Sequence, residues 1–171
     1  MVYKMRVKPK ISLLLITSLL ILFFNLLAGC GGEEVGFGIY LLDNDELVLS
    51  EHHIEVYYED THNIELNEEG IQKWNSYMTW ETIPKQTESL HSRDFVLKIK
   101  GEEIYRGKFY SMVSSISYSG VVVMDALIEL DSDHNTIRIE FGYPTPAFAE
   151  GEDPRNAPEV IDFLDKHGLL R

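Results

Sequence analysis

A chain of 171 residues with 28 Asp and Glu against 15 Lys and Arg has a formal charge of −13. Nucleic-acid binding is disfavoured, because neutralising phosphates takes clustered basic residues. Cys30 is the only cysteine, so no intramolecular disulfide is available and stability has to come from a core.

The leading segment divides by chemistry into three parts. Met1 to Lys10 carries Lys4, Arg6, Lys8 and Lys10 with no acid, Ile11 to Leu27 is almost wholly apolar, and Leu27-Ala28-Gly29-Cys30 follows. That order reads as an export signal over residues 1–29. Cationic residues resist translocation, so the N-terminus stays inside and the rest of the chain emerges outside. An uncleaved signal-anchor helix is the alternative, since Ile11 to Gly29 is nearly long enough to span a bilayer.

Small residues directly before a cysteine resemble the lipobox of bacterial lipoproteins. The resemblance implies a diacylglycerol on the Cys30 thiol, cleavage just before it, and a protein anchored by lipid at the extracytoplasmic face of the cell membrane. Each buried methylene contributes about 0.8 kcal/mol, so two or three acyl chains hold where one is marginal. Removing residues 1–29 takes four basic residues and no acid, leaving 11 against 28 and a charge of −17 on 142 residues. Repulsion from anionic headgroups then holds the domain off the lipid surface apart from its anchor. With no cysteine beyond the anchored one, thiol catalysis is excluded.

Residues 30–36 read as the lipidated cysteine and a short acidic tether, its six spacer residues reaching at most about 20 Å. Residues 37–171 suit one domain. Its pattern is strand-like over Phe37 to Leu42, Ile54 to Tyr58, His62 to Leu66, Phe95 to Lys100, Glu103 to Tyr105, Val113 to Tyr118, Val121 to Met124, Leu127 to Leu130 and Thr136 to Phe141. Turns are expected at Gly101 and Gly107. Around Val113 to Tyr118, alternation sets Ser115, Ser117 and Ser119 on one side and Ile116 and Tyr118 on the other, as in a half-exposed strand.

Two segments read as helices. Glu68 to Trp80 follows Asn67 as N-cap, has acids in its first turn, and places Ile71, Trp74, Tyr77 and Met78 on one face, with Pro84 beyond its end. Ala157 to His167 has Asn156 and Glu159 at capping-box spacing, Pro158 in the first turn, Gly168 after the end, and a buried side of Val160, Ile161, Phe163 and Leu164. A hairpin with a loop at Ser132 to Asn135 would pair Leu130 with Ile137 and Glu129 with Arg138. The fold class expected is α+β, a mostly antiparallel sheet packed by one or two helices.

Catalytic signatures are sparse. His52 and His53 on a strand would point to opposite faces and cannot share a metal, and none of the six histidines has helical metal-pair spacing. His62 with an acid across strands is the remaining possibility, against a hydrogen-bonded histidine. Asp131-Ser-Asp133-His-Asn135 starts like a calcium loop but has Thr136 where glycine is needed and Gly142 where a bidentate Glu is needed. The serines of Ser111 to Ser119 carry neither a nucleophile-elbow nor an S-x-x-K pattern. No cofactor motif and no metal site is expected.

The one binding signal is Tyr143-Pro-Thr-Pro-Ala-Phe148, a proline-stiffened segment whose two rings, Tyr143 and Phe148, would form a protein-contact loop, or else a connection covering the core. Trp74, Tyr77 and Trp80 read as core and boundary residues.

Ile64-Glu-Leu-Asn-Glu-Glu-Gly-Ile71 and Phe95-Val-Leu-Lys-Ile-Lys-Gly-Glu-Glu-Ile104 resemble the extracytoplasmic P1 head of the preprotein translocase subunit SecD, a strand and helix start followed by a strand ending in a glycine turn. The mature chain, with Tyr105-Arg-Gly-Lys-Phe109 and the Ser114-Ser115 pair, also resembles small uncharacterised bacterial lipoproteins. The first likeness spans about 45 residues and implies a sheet packed by helices, with a role in contacting protein segments. The expectation is a non-enzymatic binding or accessory domain, tethered to the membrane and meeting an envelope protein. An envelope hydrolase using carboxylates and a metal-binding or sensing lipoprotein are the alternatives.

Overall fold

The computed structural model describes residues 35–78, 90–125 and 128–171, which belong to one compact unit, Val35–Arg171. Residues 1–29, read above as an export signal, Cys30, residues 31–34 of the expected tether, Trp80, Pro84 and Leu127 lie outside the described residues. Eight strands run in chain order among the described residues: β1 Phe37–Leu41, β2 Leu47–Ser50, β3 Ile54–Tyr58, β4 Asn63–Leu66, β5 Asp94–Ile99, β6 Glu102–Ser111, β7 Tyr118–Asp125 and β8 Thr136–Tyr143. Among the described residues two α-helices accompany them, α1 Glu68–Asn75 and α2 Pro158–Lys166. The class is α+β. Among the described residues no helix is long and apolar enough to cross a membrane.

The strands form a single sheet in the order β2-β1-β5-β6-β7-β8-β4-β3. Neighbours are antiparallel except β6 and β7, which are parallel, so the sheet is mixed. Its two end strands are consecutive in the chain, joined only by a 3-10 turn at Glu51–His53. Four Cα steps reach about 15 Å, whereas the ends of a flat eight-stranded sheet stand about 34 Å apart. The sheet must therefore curl until its ends approach.

Alternation then sends one face of every strand inward. Register places Ile39 beside Leu97, Leu97 beside Tyr105, Phe109 beside Val123, Val123 beside Ile139 and Ile64 beside Ile137, and all of these are buried. Gly107 occupies one inward position. A Cβ there would stand 2.3 Å from the Val121 carbonyl oxygen and 2.5 Å from the Phe95 ring, so the missing side chain makes room for a large neighbour. The expected turn at Gly107 is thus corrected: β6 runs straight through it. Lys100-Gly101, both at positive φ, does make the tight two-residue turn between β5 and β6.

Helix α1 starts where Asn67 caps the Gly70 N–H at 3.0 Å, and it ends at Asn75, five residues short of the expected Trp80. The next bonds run i to i+3, Tyr77 to Trp74 and Met78 to Asn75, which tightens the turn and carries Tyr77 inward to Glu46. Asn75 itself clamps Leu130, donating to its carbonyl at 2.8 Å and accepting from its N–H at 3.0 Å.

The N-cap of α2 is Ala157, without a side-chain bond, because Asn156 is used in a preceding 3-10 turn capped by Asp153. Gly168 ends α2 at φ 70. Its N–H reaches Asp165 and the Leu169 N–H reaches Leu164, a Schellman closure. That closure aims residues 169–171 along the outer edge of β3, where Leu170 bridges Tyr57 in parallel.

Two further expectations are corrected, and one strand is added. β8 takes β7 and β4 as neighbours, with Arg138 beside Met124 and Asn63, and Ile137 beside Ile64. Leu130-Ile137 and Glu129-Arg138 are therefore not partners; Arg138 pairs with Glu140, and the loop tip closes two residues tighter, Asp131 against His134. His53 sits in the 3-10 turn with its Nδ1 against Ser50. β2, with Val48, Leu49 and Ser50 buried, was not anticipated.

Candidate functional site

Parallel neighbours need the chain to return along the whole strand, usually by a helix of a dozen or more residues. Between β6 and β7 only residues 112–117 do this. They form an irregular strap, not the expected half-exposed strand, and the strap is tied to the outer face of the sheet. A second apolar cluster lies there: Tyr110, Val122, Met124 and Tyr143, with Tyr118 packed against it. The Tyr110 ring stacks on Tyr118 and meets Tyr143 at 5.0 Å. The Tyr143 hydroxyl points at two strap carbonyls, Ser114 at 2.8 Å and Met112 at 3.4 Å, and at that of Ser111, the last residue of β6, at 3.3 Å.

The strap satisfies much of its own backbone as well. Ser114 N–H donates to the Ser111 carbonyl, Val113 N–H to Ser111 Oγ and Ile116 N–H to Ser114 Oγ. His91 Nδ1 accepts from the Ser111 N–H at 3.1 Å. With these groups turned inward, the apolar side chains turn out: Met112 is 57% exposed, Val113 74% and Ile116 69%. Sixteen residues, Phe109 to Met124, pass without one charge. Elsewhere charge is dense, and Arg93, Lys98, Arg106, Lys108, Arg138 and Arg155 each pair with an acid.

A polar cluster forms a second candidate. His62 is buried at φ 54, donates its N–H to the Tyr58 carbonyl and accepts from the Ile139 N–H. Its Nδ1 lies 2.9 Å from the Tyr57 hydroxyl. Arg155 binds the Ile139 carbonyl and grips Asp153 with two nitrogens. Burial first, and Arg155 second, hold the His62 pKa down, while burial pushes the Tyr57 hydroxyl up. A neutral imidazole beside a protonated phenol is the state this favours at neutral pH. The Tyr105 hydroxyl, wholly buried, has no hydrogen-bond partner among the described residues. An open depression adjoins, lined by Tyr58, Glu59, Asp60, His62, Asn156 and Arg171.

His62, weighed in the sequence as a ligand shared with an acid, is therefore hydrogen-bonded to Tyr57. Among the described residues no group of three or more His, Cys, Asp or Glu is placed to hold a metal ion. Asp131 spends its carboxylate on the N–H groups of Asp133 and His134, and those bonds hold its pKa below the usual carboxylate range.

Of the two rings read as a contact loop, Tyr143 is only 6% exposed, because it is the post that fastens the strap. Phe148 is 47% exposed, in a 3-10 turn at Pro146–Phe148. Sequence reading missed Met112, Val113 and Ile116 as a joint exposed patch, since the alternation of Ile116 and Tyr118 with serine imitates a strand. The long uncharged run within so acidic a chain was the signal that marks them. No protein-family model matches the chain, and neither a curated protein nor a solved structure matches it significantly.

Proposed function

We propose that this chain is a membrane-anchored bacterial lipoprotein whose acidic α+β domain serves as a non-enzymatic binding or accessory module at the extracytoplasmic face. The order of basic residues, apolar run and Leu27-Ala28-Gly29-Cys30 supports the anchor. The observation that carries the binding role is the strap. Three aliphatic side chains face water on an ordered, uncharged segment of an otherwise charged surface, the kind of patch that marks an interaction site.

The His62-Tyr57 pair is read as structural, since both groups are engaged with each other and held in their neutral forms. The likeness to the SecD head adds the idea that protein segments are among the things contacted, although no translocase activity comes with it.

Intact-mass measurement of the cell-derived protein should show acyl groups on a chain beginning at Cys30. Photo-crosslinking residues placed at positions 113 and 148 should trap material at the membrane. A free thiol on a chain recovered from the cytosol would end the anchor reading, and silence at both positions would end the binding reading.

A further inference from the structure

We infer that the depression between α2 and the Lys100-Gly101 turn docks the zwitterionic headgroup of phosphatidylethanolamine, its phosphate received by Lys100 and Lys166 and its ammonium by Glu159 and Asp162. The inference goes beyond the binding reading above and rests on the anchor reading.

Charge pairing singles this depression out. Six other basic residues of the domain each pair with an acid. Lys100, Lys166, Glu159 and Asp162 line one depression of about 250 Å³, yet among the described residues none of the four side chains makes an ion pair or hydrogen bond. Asp162 precedes Lys166 by four residues on α2, the spacing at which opposite charges ordinarily meet. Left apart, they give the depression an acidic end and a basic end.

Its floor is apolar, formed by Ile99 and by the Phe163 ring, on which His167 stacks at 4.0 Å. Two opposite charges joined by a short hydrocarbon link match that arrangement. A simple anion is repelled by the acids and a simple cation by the lysines. A primary ammonium can donate to both carboxylates, whereas a quaternary one donates nothing and calls for an aromatic cage. The volume lies below the roughly 300–1,000 Å³ of sites for drug-sized ligands, which suits a headgroup.

The place where the tether joins the domain favours a lipid over a free zwitterion. Gly36 is held on three sides. Its N–H donates to the Glu51 carboxylate at 2.6 Å, its carbonyl accepts from the Lys100 N–H at 2.6 Å, and a Cβ on it would stand 2.5 Å from the Phe163 ring. The chain therefore leaves the domain at the rim of the depression. Six spacer residues reach at most about 20 Å, which keeps this end of the domain beside the headgroup layer that holds the anchor. So short a tether sets an effective concentration on the order of millimolar, enough to fill a site whose exposed ion pairs are individually weak. A headgroup without net charge also escapes the repulsion that the acidic domain exerts on anionic lipid.

The test is amine footprinting of the full chain held by residue 30 on vesicles, with acylation of each lysine read by mass spectrometry. Where Cys30 carries acyl groups the protein inserts by itself; where its thiol is free, it is coupled to a maleimide lipid, so the site is tested whatever becomes of the anchor reading. On vesicles of phosphatidylcholine with phosphatidylethanolamine, Lys100 and Lys166 should react about threefold more slowly than on phosphatidylcholine alone, with rates normalised to Lys73 on α1. The Glu159→Gln/Asp162→Asn variant, with its melting temperature preserved, should lose that difference. Equal reactivity on the two kinds of vesicle overturns the inference, as does slowing that survives in the variant. Equal slowing with phosphatidylglycerol in place of phosphatidylethanolamine overturns it in favour of general attraction to phosphate. The mass of residue 30, measured in the same samples, decides the anchor separately.

Discussion

Removing the Tyr143 hydroxyl tests whether the strap is fastened as the geometry indicates. In Tyr143→Phe the ring still fills its place against Tyr110 and Val122. What goes is one donor, 2.8 Å from the Ser114 carbonyl and within 3.4 Å of two others. A lost hydrogen bond of this kind costs about 1 kcal/mol. If the loss falls on the strap, its local opening becomes about fivefold more frequent, and the melting temperature drops by roughly 3 °C. Exchange at the Ser114 amide, bonded to the Ser111 carbonyl at 2.9 Å, should rise by that factor. Amides between β5 and β6 should hold their rates. Acceleration spread evenly over the sheet, or an unaltered Ser114 amide, would refute the assignment of Tyr143 as fastener.

Other expectations are narrower. The His62 pKa is held below its unfolded value, so the unfolded chain takes up the proton first as pH falls. Stability present above about pH 6.5 should therefore decline below it, by up to about 1.4 kcal/mol per pH unit, and His62→Asn, which tolerates the left-handed backbone, should flatten urea midpoints between pH 7 and 5. Gly70→Ala places a Cβ 2.2 Å from the His53 carbonyl oxygen; despite a gain of about 1 kcal/mol in helix propensity, denaturation should show a net loss of about 1–3 kcal/mol. Asn75→Ala orphans both backbone groups of Leu130, and a loss of about 1–3 kcal/mol in the same assay is expected, with faster exchange at the Leu130 amide.

Local chemistry was legible in the chain wherever a residue acts on its near neighbours. Asn67 as cap, the acids after it, Lys100-Gly101 as a turn and Gly168 as a helix terminator need only bonds within a few residues, and each stands where periodicity and capping placed it. Inward alternation in β1, β5 and β8 was equally plain, because a period of two is written directly into Phe37-Ile39-Leu41 and its partners. The acid excess and the uncharged run from Phe109 to Met124 are likewise properties of composition.

Pairing and exposure belong to the tertiary structure, since they depend on residues far apart in the chain. Nothing local says that β8 sits between β7 and β4, that Gly107 is spanned by Phe95, or that β6 and β7 run parallel across a six-residue return. Ile116 and Tyr118 alternate with serine as a strand would, and only the tertiary setting, with the Ser114 carbonyl drawn inward to the Tyr143 hydroxyl, leaves Val113 and Ile116 facing solvent. The same ring, apolar and aromatic in a proline-rich stretch, reads as a surface contact until the strap covers it on the outer face of the sheet. Side-chain type sets what a residue can do; the register of strands brought together from across the chain decides which face it does it on.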